Sequence, residues 1–328
     1  MNIFIGIKLL AAYFLDLLIG DPKWLPHPVI GIGKGISVLD KSIQKWNQHL
    51  VKKGASAKVT GRLLGLLFPL LIVCGVFLLT YEVLQLLAMI HPWLAIAIEI
   101  LLISTTIATK GLSQAGMKIY QALVKNNLAE ARFELSMVVG RDTEKLNSRD
   151  ISRGAIETVA ENIVDAVTAP LFFAFIGGAP LAMAYRAVNT LDSMVGYKNE
   201  TYQHIGWASA RLDDICNFIP ARVTFLFLVM ASWVQKSDWK AAWRIGLRDA
   251  LKHPSPNSGW TEASVAGALK IQLGGRNTYK GVVSNRAKMG DPLEIIQPTH
   301  IKKTIDLLYT STLCYLTIAL CISWVLLY

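Results

Sequence analysis

Residues 153–185 read RGAIETVAENIVDAVTAPLFFAFIGGAPLAMAY, a row of acids on a helical pattern followed at once by an apolar stretch that breaks in its middle. On an α-helix Arg153, Glu157, Glu161 and Asp165 recur at four-residue steps and line one face, with Asn162 beside them. Like charges at that spacing cost a helix about 0.2–0.5 kcal/mol per pair. Burying them costs far more, so the row needs compensation. Arg153 can pair with Glu157, and the small Ala155, Ala160, Ala166 and Ala169 leave room for Mg²⁺ or for arginines around the acids. The competing reading is a solvated face with one ion pair. The apolar run Pro170 to Tyr185 is then interrupted by Gly177-Gly178-Ala179-Pro180, which breaks a helix at mid-membrane depth. A re-entrant or broken segment fits better than a plain crossing, because broken helices are tolerated where they line a protein-enclosed cavity. A re-entrant turn returns residues 186–200 to the side of the acid row, whereas a full crossing separates them.

Composition supports a membrane setting. The 328 residues are 53% hydrophobic and only 17% charged, and mean hydropathy is +0.40, which argues against an ordinary soluble protein. A formal charge of +10 would suit nucleic-acid binding, but the Lys and Arg cluster in loops beside apolar runs, as cytoplasmic retention requires. Cys74, Cys216, Cys314 and Cys321 form no CxxC pair, which argues against a disulfide framework or a zinc site. The N-terminal apolar run has no small-residue cleavage site and is not read as a removable signal peptide.

The expected fold is all-α and polytopic, one membrane domain over 1–328, with about five transmembrane or re-entrant segments and cytoplasmic helical loops. Apolar segments are expected near 3–19, 63–90, 93–108, 170–185, 219–234 and 305–328. His91-Pro92 turns the second and third into a hairpin, and Glu82 and Glu99 lie inside them. Residues 34–62 carry seven cations against Asp40 alone, and 236–303 are basic again, so both loops are expected in the cytoplasm. Between 110 and 168 two amphipathic helices precede the acid-row helix, placed at about 149–169 with Asn147 or Ser148 as cap.

Other polar motifs offer recognition chemistry. Arg186, Asn189 and Asp192 or Ser193 share a helix face that suits a phosphate and its metal. In ARLDDICNFIPAR (210–222), Asp213 and Asn217 share a face, Asp214 reaches Asn217 at three residues, and Arg211 and Arg222 flank them. HPSPNSGWTEA (253–263) holds an extended loop ahead of a helix opening near Ser258, whose free N–H groups form an anion site, with His253 as an acid or base. LGGRNTYKG (273–281) is either a phosphate cradle with Arg276 and Lys280 or a tight turn.

Taken in order, DLLIGDP, LPHPV, GRDT, AENIVDAVTAP, YRAVNTLDSMVGYKN, ARLDDICNFIPAR and HPSPNSGWTEA resemble the CobD/CbiB family of cobalamin biosynthesis, adenosylcobinamide-phosphate synthase, from Asp16 to about Gly281. The resemblance implies an integral membrane ligase of the cell membrane with its site facing the cytoplasm. It would use ATP and Mg²⁺ to join adenosylcobyric acid to (R)-1-amino-2-propanol O-phosphate or ethanolamine phosphate. Its partners would be those substrates, the lipid bilayer and other corrinoid-pathway membrane enzymes, with no nucleic acid. Under it, Glu157, Glu161, Asp165 and Asp192 become catalytic acids and metal ligands. Arg141, Arg153, Arg186, Arg211 and Arg222 take phosphates, and Asn162, Asn189, Asn217 and Asn257 orient substrate. Asp142, Ser193, Lys198, Asp213, Asp214, His253, Ser258 and Glu262 complete the expected substrate- and phosphate-binding set. Rival readings are a Mg²⁺-dependent prenyl or CDP-alcohol transferase, whose dense Asp motifs are missing, and a non-catalytic transporter or partner of a corrinoid complex. No P-loop or kinase loop is present to place ATP.

Overall fold

The computed structural model describes residues 4–20, 27–197 and 199–325. In chain order its helices are α1 (Phe4–Ile19), α2 (Pro28–Lys52), α3 (Ala57–Gly65), α4 (Cys74–Ile90), α5 (Pro92–Ser104), α6 (Thr109–Val124) and α7 (Leu128–Ser136). They continue as α8 (Ser148–Ile163), α9 (Ala169–Val195), α10 (Trp207–Cys216), α11 (Phe218–Val234), α12 (Trp239–Asp249) and α13 (Ser258–Ala268). A hairpin of β1 (Leu273–Tyr279) and β2 (Val282–Met289) precedes α14 (Pro298–Val325). Five helical stretches are long and apolar enough to cross a membrane: Ala57–Ile90, Pro92–Val124, Ser148–Val195, Trp207–Val234 and Pro298–Val325. The protein is therefore an all-α, multi-pass membrane protein. The loop after Gly20, with Trp24 to Pro26, lies outside the described residues, as does Lys198.

The chain divides into two compact units, Met1–Ile107 with Ala169–Asn217 and Ser323–Tyr328, and Ala108–Thr168 with Phe218–Ile322. In the first, Ile32, Ile36 and Ile43 of α2 pack with Met183, Ala187, Leu191 and Val195 of α9 around Phe68. The His91-Pro92 signal does separate α4 from α5, since Pro92 opens the second helix where its missing N–H costs nothing.

The decisive feature of this unit is the break in α9. Gly177 (φ −143°, ψ 25°) and Gly178 (φ 64°, ψ −158°) leave helical geometry, and Pro180 starts the second half. Phe173 and Tyr185 stack with ring centroids 5.0 Å apart, though a continuous helix would separate those positions by about 18 Å. The two halves therefore fold back on each other as a helical hairpin. Gly178 is required twice, by its left-handed φ and because a β-carbon there would meet the Glu99 carboxylate. Glu99 pairs with Lys8 at 2.5 Å, and both line a cavity of about 510 Å³ with Tyr81, Gln85 and the two glycines. The Gly-Gly backbone thus lies against protein and a cavity, as freed backbone groups at membrane depth demand.

In the second unit α6 lies against α8 and α14, because a β-carbon at Gly116 would touch Val159 and Ile305. Tyr309 donates to Ser113 at 2.6 Å between α14 and α6. The acid-row helix starts as expected, with Asn147 Oδ1 accepting from Asp150 N at 2.9 Å. It does not run uniformly to residue 169. A π-helical turn, Val164–Thr168, follows Ile163 and shifts the register, so the strict four-residue row stops at Glu161 and Asp165 leaves its phase.

Gly178→Ala should lower the thermal midpoint of the purified protein in detergent, since the left-handed conformation alone costs about 1–2 kcal/mol for a residue with a β-carbon. Gly177→Ala, which meets only the movable Leu181 side chain, should cost less. Equal midpoints for the two variants would contradict the geometry.

Candidate functional site

The hairpin is absent from an all-α reading of the sequence, and it organises the polar half of the second unit. Lys280 (φ 49°) and Gly281 (φ 81°) form a two-residue turn with both residues left-handed, the hairpin geometry whose twist matches the flanking strands. Asp142 clamps that turn, its carboxylate accepting from Lys280 N at 2.9 Å and Gly281 N at 2.8 Å. Its own N–H donates to Thr278 O at 2.8 Å. Beneath the turn Glu157, 1% exposed, accepts from Arg141 Nη2 at 2.6 Å and from Gly274 N at 2.8 Å, with Arg153 Nη1 at 3.7 Å. Arg153 also donates to the carbonyls of Gly274 and Arg276, and both arginines donate to Asn277 Oδ1. The two oxygens of Glu157 are thus taken by cations and an amide. It anchors β1 to α8, and the metal role expected for it is not what its surroundings serve.

One helical turn along, Glu161 faces a different environment. His253 ends a short 3₁₀ turn (Ala250–Lys252), and Glu262 lies in the middle of α13. One ligand atom from each of Glu161, His253 and Glu262 lies within 4.8 Å of the others. The side chains of His253 and Glu262 are 5% and 2% exposed, their Nε2 and Oε1 atoms are 3.4 Å apart, and neither atom makes a hydrogen bond. Ser255 N donates to His253 Nδ1 at 3.1 Å, which leaves the proton of the neutral ring on Nε2, facing Glu262. Ser258 Oγ donates to Glu161 Oε1 at 3.3 Å. Burial, then the charges of Glu161 and Glu157, push the Glu262 carboxyl well above the usual carboxylate range. Burial lowers the His253 pKa, keeping the ring neutral. Arg286 of β2 adds a positive charge toward these carboxylates.

These donors fit a hard divalent cation such as Mg²⁺. Glu161 and Glu262 supply the one or two carboxylates that Mg²⁺ takes from protein. The imidazole N–H is placed to orient a ligating carboxylate and not to ligate. Glu262 Oε1 is buried without a hydrogen-bond partner among the described residues, so a ligand there would satisfy it.

The other expected residues divide between the units. In the first, Arg186, Asn189 and Asp192 do share the second half of α9, and Arg186 Nη1 is 3.5 Å from Asn189 Oδ1. Ser193 donates to Asn189 O at 2.9 Å. Tyr185 donates to Asn217 Oδ1 at 2.8 Å, and Asn217 donates to Asp213 Oδ2 at 3.0 Å, joining α9 to α10. Asp214 pairs with Arg211 at 3.4 Å. In the second, Arg222 stacks on Phe218 at 3.5 Å and donates to Asn257 Oδ1 at 3.2 Å. Asn162 donates to Thr158 O of its own helix at 2.9 Å. The N–H of Ser258, expected free for an anion, is within 3.3 Å of Ser255 Oγ. Asn277 and Arg286 escaped the sequence reading. Asn277 lies in the glycine-rich β1, LGGRNTY, and Arg286 in β2, VVSNRAKM, and neither stretch marks them by spacing.

With this geometry in place the comparisons become informative. The family model described as CobD/Cbib protein matches residues 9–308. The chain belongs to the CobD/CbiB family. Within the family it is 47% identical over 315 residues to the cobalamin biosynthesis protein CobD of Halalkalibacterium halodurans, covering 94% of each chain. It is 46% identical over 305 residues to the CobD of Geobacter metallireducens, covering 93% of this chain and 92% of that one. It is 46% identical over 299 residues to the CbiB of Salmonella arizonae, covering 91% of each. No solved structure matches it.

Glu157→Gln should detach the hairpin, because it leaves Arg141 and Arg153 buried without their counter-charge, a loss of about 3–5 kcal/mol. Limited proteolysis should then cleave near Lys280 faster than in the parent protein, and unchanged cleavage would contradict the anchoring role.

Proposed function

We propose that this membrane protein acts in cobalamin biosynthesis as an ATP-dependent ligase that forms adenosylcobinamide phosphate from adenosylcobyric acid and (R)-1-amino-2-propanol O-phosphate or ethanolamine phosphate. Family membership supports the cobalamin role, and the observation that carries the enzymatic reading is the convergence of Glu161, Glu262 and His253 on one buried point. In this reading the propionate carboxylate attacks the γ-phosphorus of ATP, the bond to the β-phosphate oxygen breaks, and an acyl phosphate and ADP result. The amine then attacks the acyl carbon, the C–O bond to phosphate breaks, and the amine proton leaves with the phosphate.

Phosphoryl transfer is mostly positioning and electrostatic stabilisation. A bound Mg²⁺ supplies neutralisation of phosphate charge. Glu161 and Glu262 hold it, the His253 Nε2–H fixes the orientation of Glu262, and Ser258 does the same for Glu161. Arg286 offsets the excess of carboxylate charge as anionic substrates enter. Burial keeps water from competing for these groups.

In purified protein, Glu161→Gln and Glu262→Gln should each lower the turnover of ATP- and Mg²⁺-dependent amide formation by about 100-fold or more, and His253→Ala by less. The parent protein should also gain thermal stability on addition of Mg²⁺ or Mn²⁺, and the two Gln variants should not. Folded variants with turnover within a few-fold of the parent and an intact metal-induced shift would refute the assignment.

ATP is cytosolic, so the ligase reading puts the hairpin face on the cytoplasmic side, in agreement with the basic residues 236–303. Lys280→Cys, at an exposed turn, should resist a membrane-impermeant maleimide in intact cells and react in inverted vesicles. The reverse pattern would place the site outside.

A further inference from the structure

Behind the hairpin, within the second unit, lies an open cavity of about 450 Å³ whose charges do not balance. Its lining includes Arg141, Arg149, Arg153, Arg276 and Lys288 against only Asp142 and Asp150. Both acids are already engaged, Asp142 by the amides of the turn and Asp150 by Arg153 at 3.4 Å. Glu157, shared between Arg141 and Arg153, adds one further negative charge. Arg149, Arg276 and Lys288 remain, exposed and without an acidic partner among the described residues. Five cations against three acids leave the concavity net positive, which raises the local concentration of anions and lowers the cost of binding one.

A second observation points the same way. Asn277 is 5% exposed, lines this cavity, and has its Oδ1 held by both Arg141 and Arg153. That pairing dictates the amide orientation, and the Nδ2 donor is left buried without a hydrogen-bond partner. A buried donor in that state is destabilising, and an acceptor arriving from the cavity would satisfy it. The ligand must therefore be an anion rich in acceptors. Only Leu146 and Ile296 give the lining substantial apolar surface, so it suits phosphate oxygens and not a nucleobase or a corrin ring.

We infer that this cavity binds the phosphate groups of a substrate, an inference that rests on the ligase activity proposed above. Arg276, Arg149 and Lys288 supply the charge, and Asn277 Nδ2 supplies a fixed donor. Arginine at two of the three cationic positions favours planar, two-bonded contact with phosphate. Two substrates carry phosphate, the nucleotide and the amino-alcohol monoester, and the same chemistry serves either.

The test uses full-length protein in detergent with Arg276→Glu, Lys288→Glu and the pair together, all at exposed side chains. KM is measured separately for ATP and for the amino-alcohol phosphate, and equilibrium binding is measured with inorganic tripolyphosphate and with inorganic phosphate. A rise of 10-fold or more in the KM for ATP alone assigns the cavity to the triphosphate, and the same rise for the amino-alcohol phosphate alone assigns it to the monoester. Arg276→Lys and Lys288→Arg should restore most of the affinity. Unchanged KM values and unchanged binding of both inorganic anions overturn the inference. Glu161→Gln separates the two proposals: it should lose turnover yet keep anion binding. A parent protein that binds tripolyphosphate at Arg276 and Lys288 but makes no amide would refute the ligase reading and leave the anion site standing.

Discussion

A carboxylate with 1% exposure is the constraint on which the second unit depends. Glu157 has no access to water, so its charge must be met by protein groups, and α8 alone can offer only Arg153. The remaining compensation comes from Arg141 ahead of α8 and from the backbone of a strand more than a hundred residues later. Those same cations need acceptors of their own, which the carbonyls of Gly274 and Arg276 and the amide of Asn277 provide. A single buried charge therefore ties the GRDT segment, the acid-row helix and the hairpin into one polar body. Removing one partner leaves the others buried and unpaired, which is costly in a low-dielectric interior.

The neighbouring Glu161 and Glu262 show the opposite condition. They are close to the same helix face, but no arginine pairs with Glu262, and its orphaned oxygen faces a neutral imidazole. Burial beside a second carboxylate raises the pKa of such a carboxyl, and the proposed Mg²⁺ would relieve that crowding. The distinction between Glu157 and Glu161, one turn apart, is one of saturation: the first has all its partners in the fold, and the second has places left for a ligand.

In the first unit the controlling element is the Gly177-Gly178 break. Reversal of the chain at that point lets Phe173 stack on Tyr185 and brings the backbone against the Lys8–Glu99 pair. The break was legible because glycine pairs and a following proline have strong local meaning. The helix cap at Asn147 and the proline start of α5 were legible for the same reason. The hairpin was not. Its first strand carries paired glycines, its turn is Lys-Gly in place of the commoner Asn-Gly, and its stability comes from Asp142 and Glu157, far away in sequence. The π turn at Val164–Thr168 was hidden too, since periodicity assumes a uniform helix and gives no sign of the extra residue.

The amino-acid sequence by itself determined the membrane class, the approximate spans, the break in α9, the family, and the set of residue types able to meet phosphate, metal and carboxylate. Those properties follow from hydropathy, from local backbone preference and from long unusual motifs, all of which are written in neighbouring residues. Only the tertiary structure decided which acids are saturated and which await a ligand. It paired Glu157 with arginines and a backbone amide, followed α8 with a π turn at Asp165, brought His253 and Glu262, expected as substrate binders, beside Glu161, and added Arg286 and Asn277. The physical reason is that the state of a charge depends on everything within a few ångströms of it, and here those neighbours come from segments as distant as residues 141, 157 and 274.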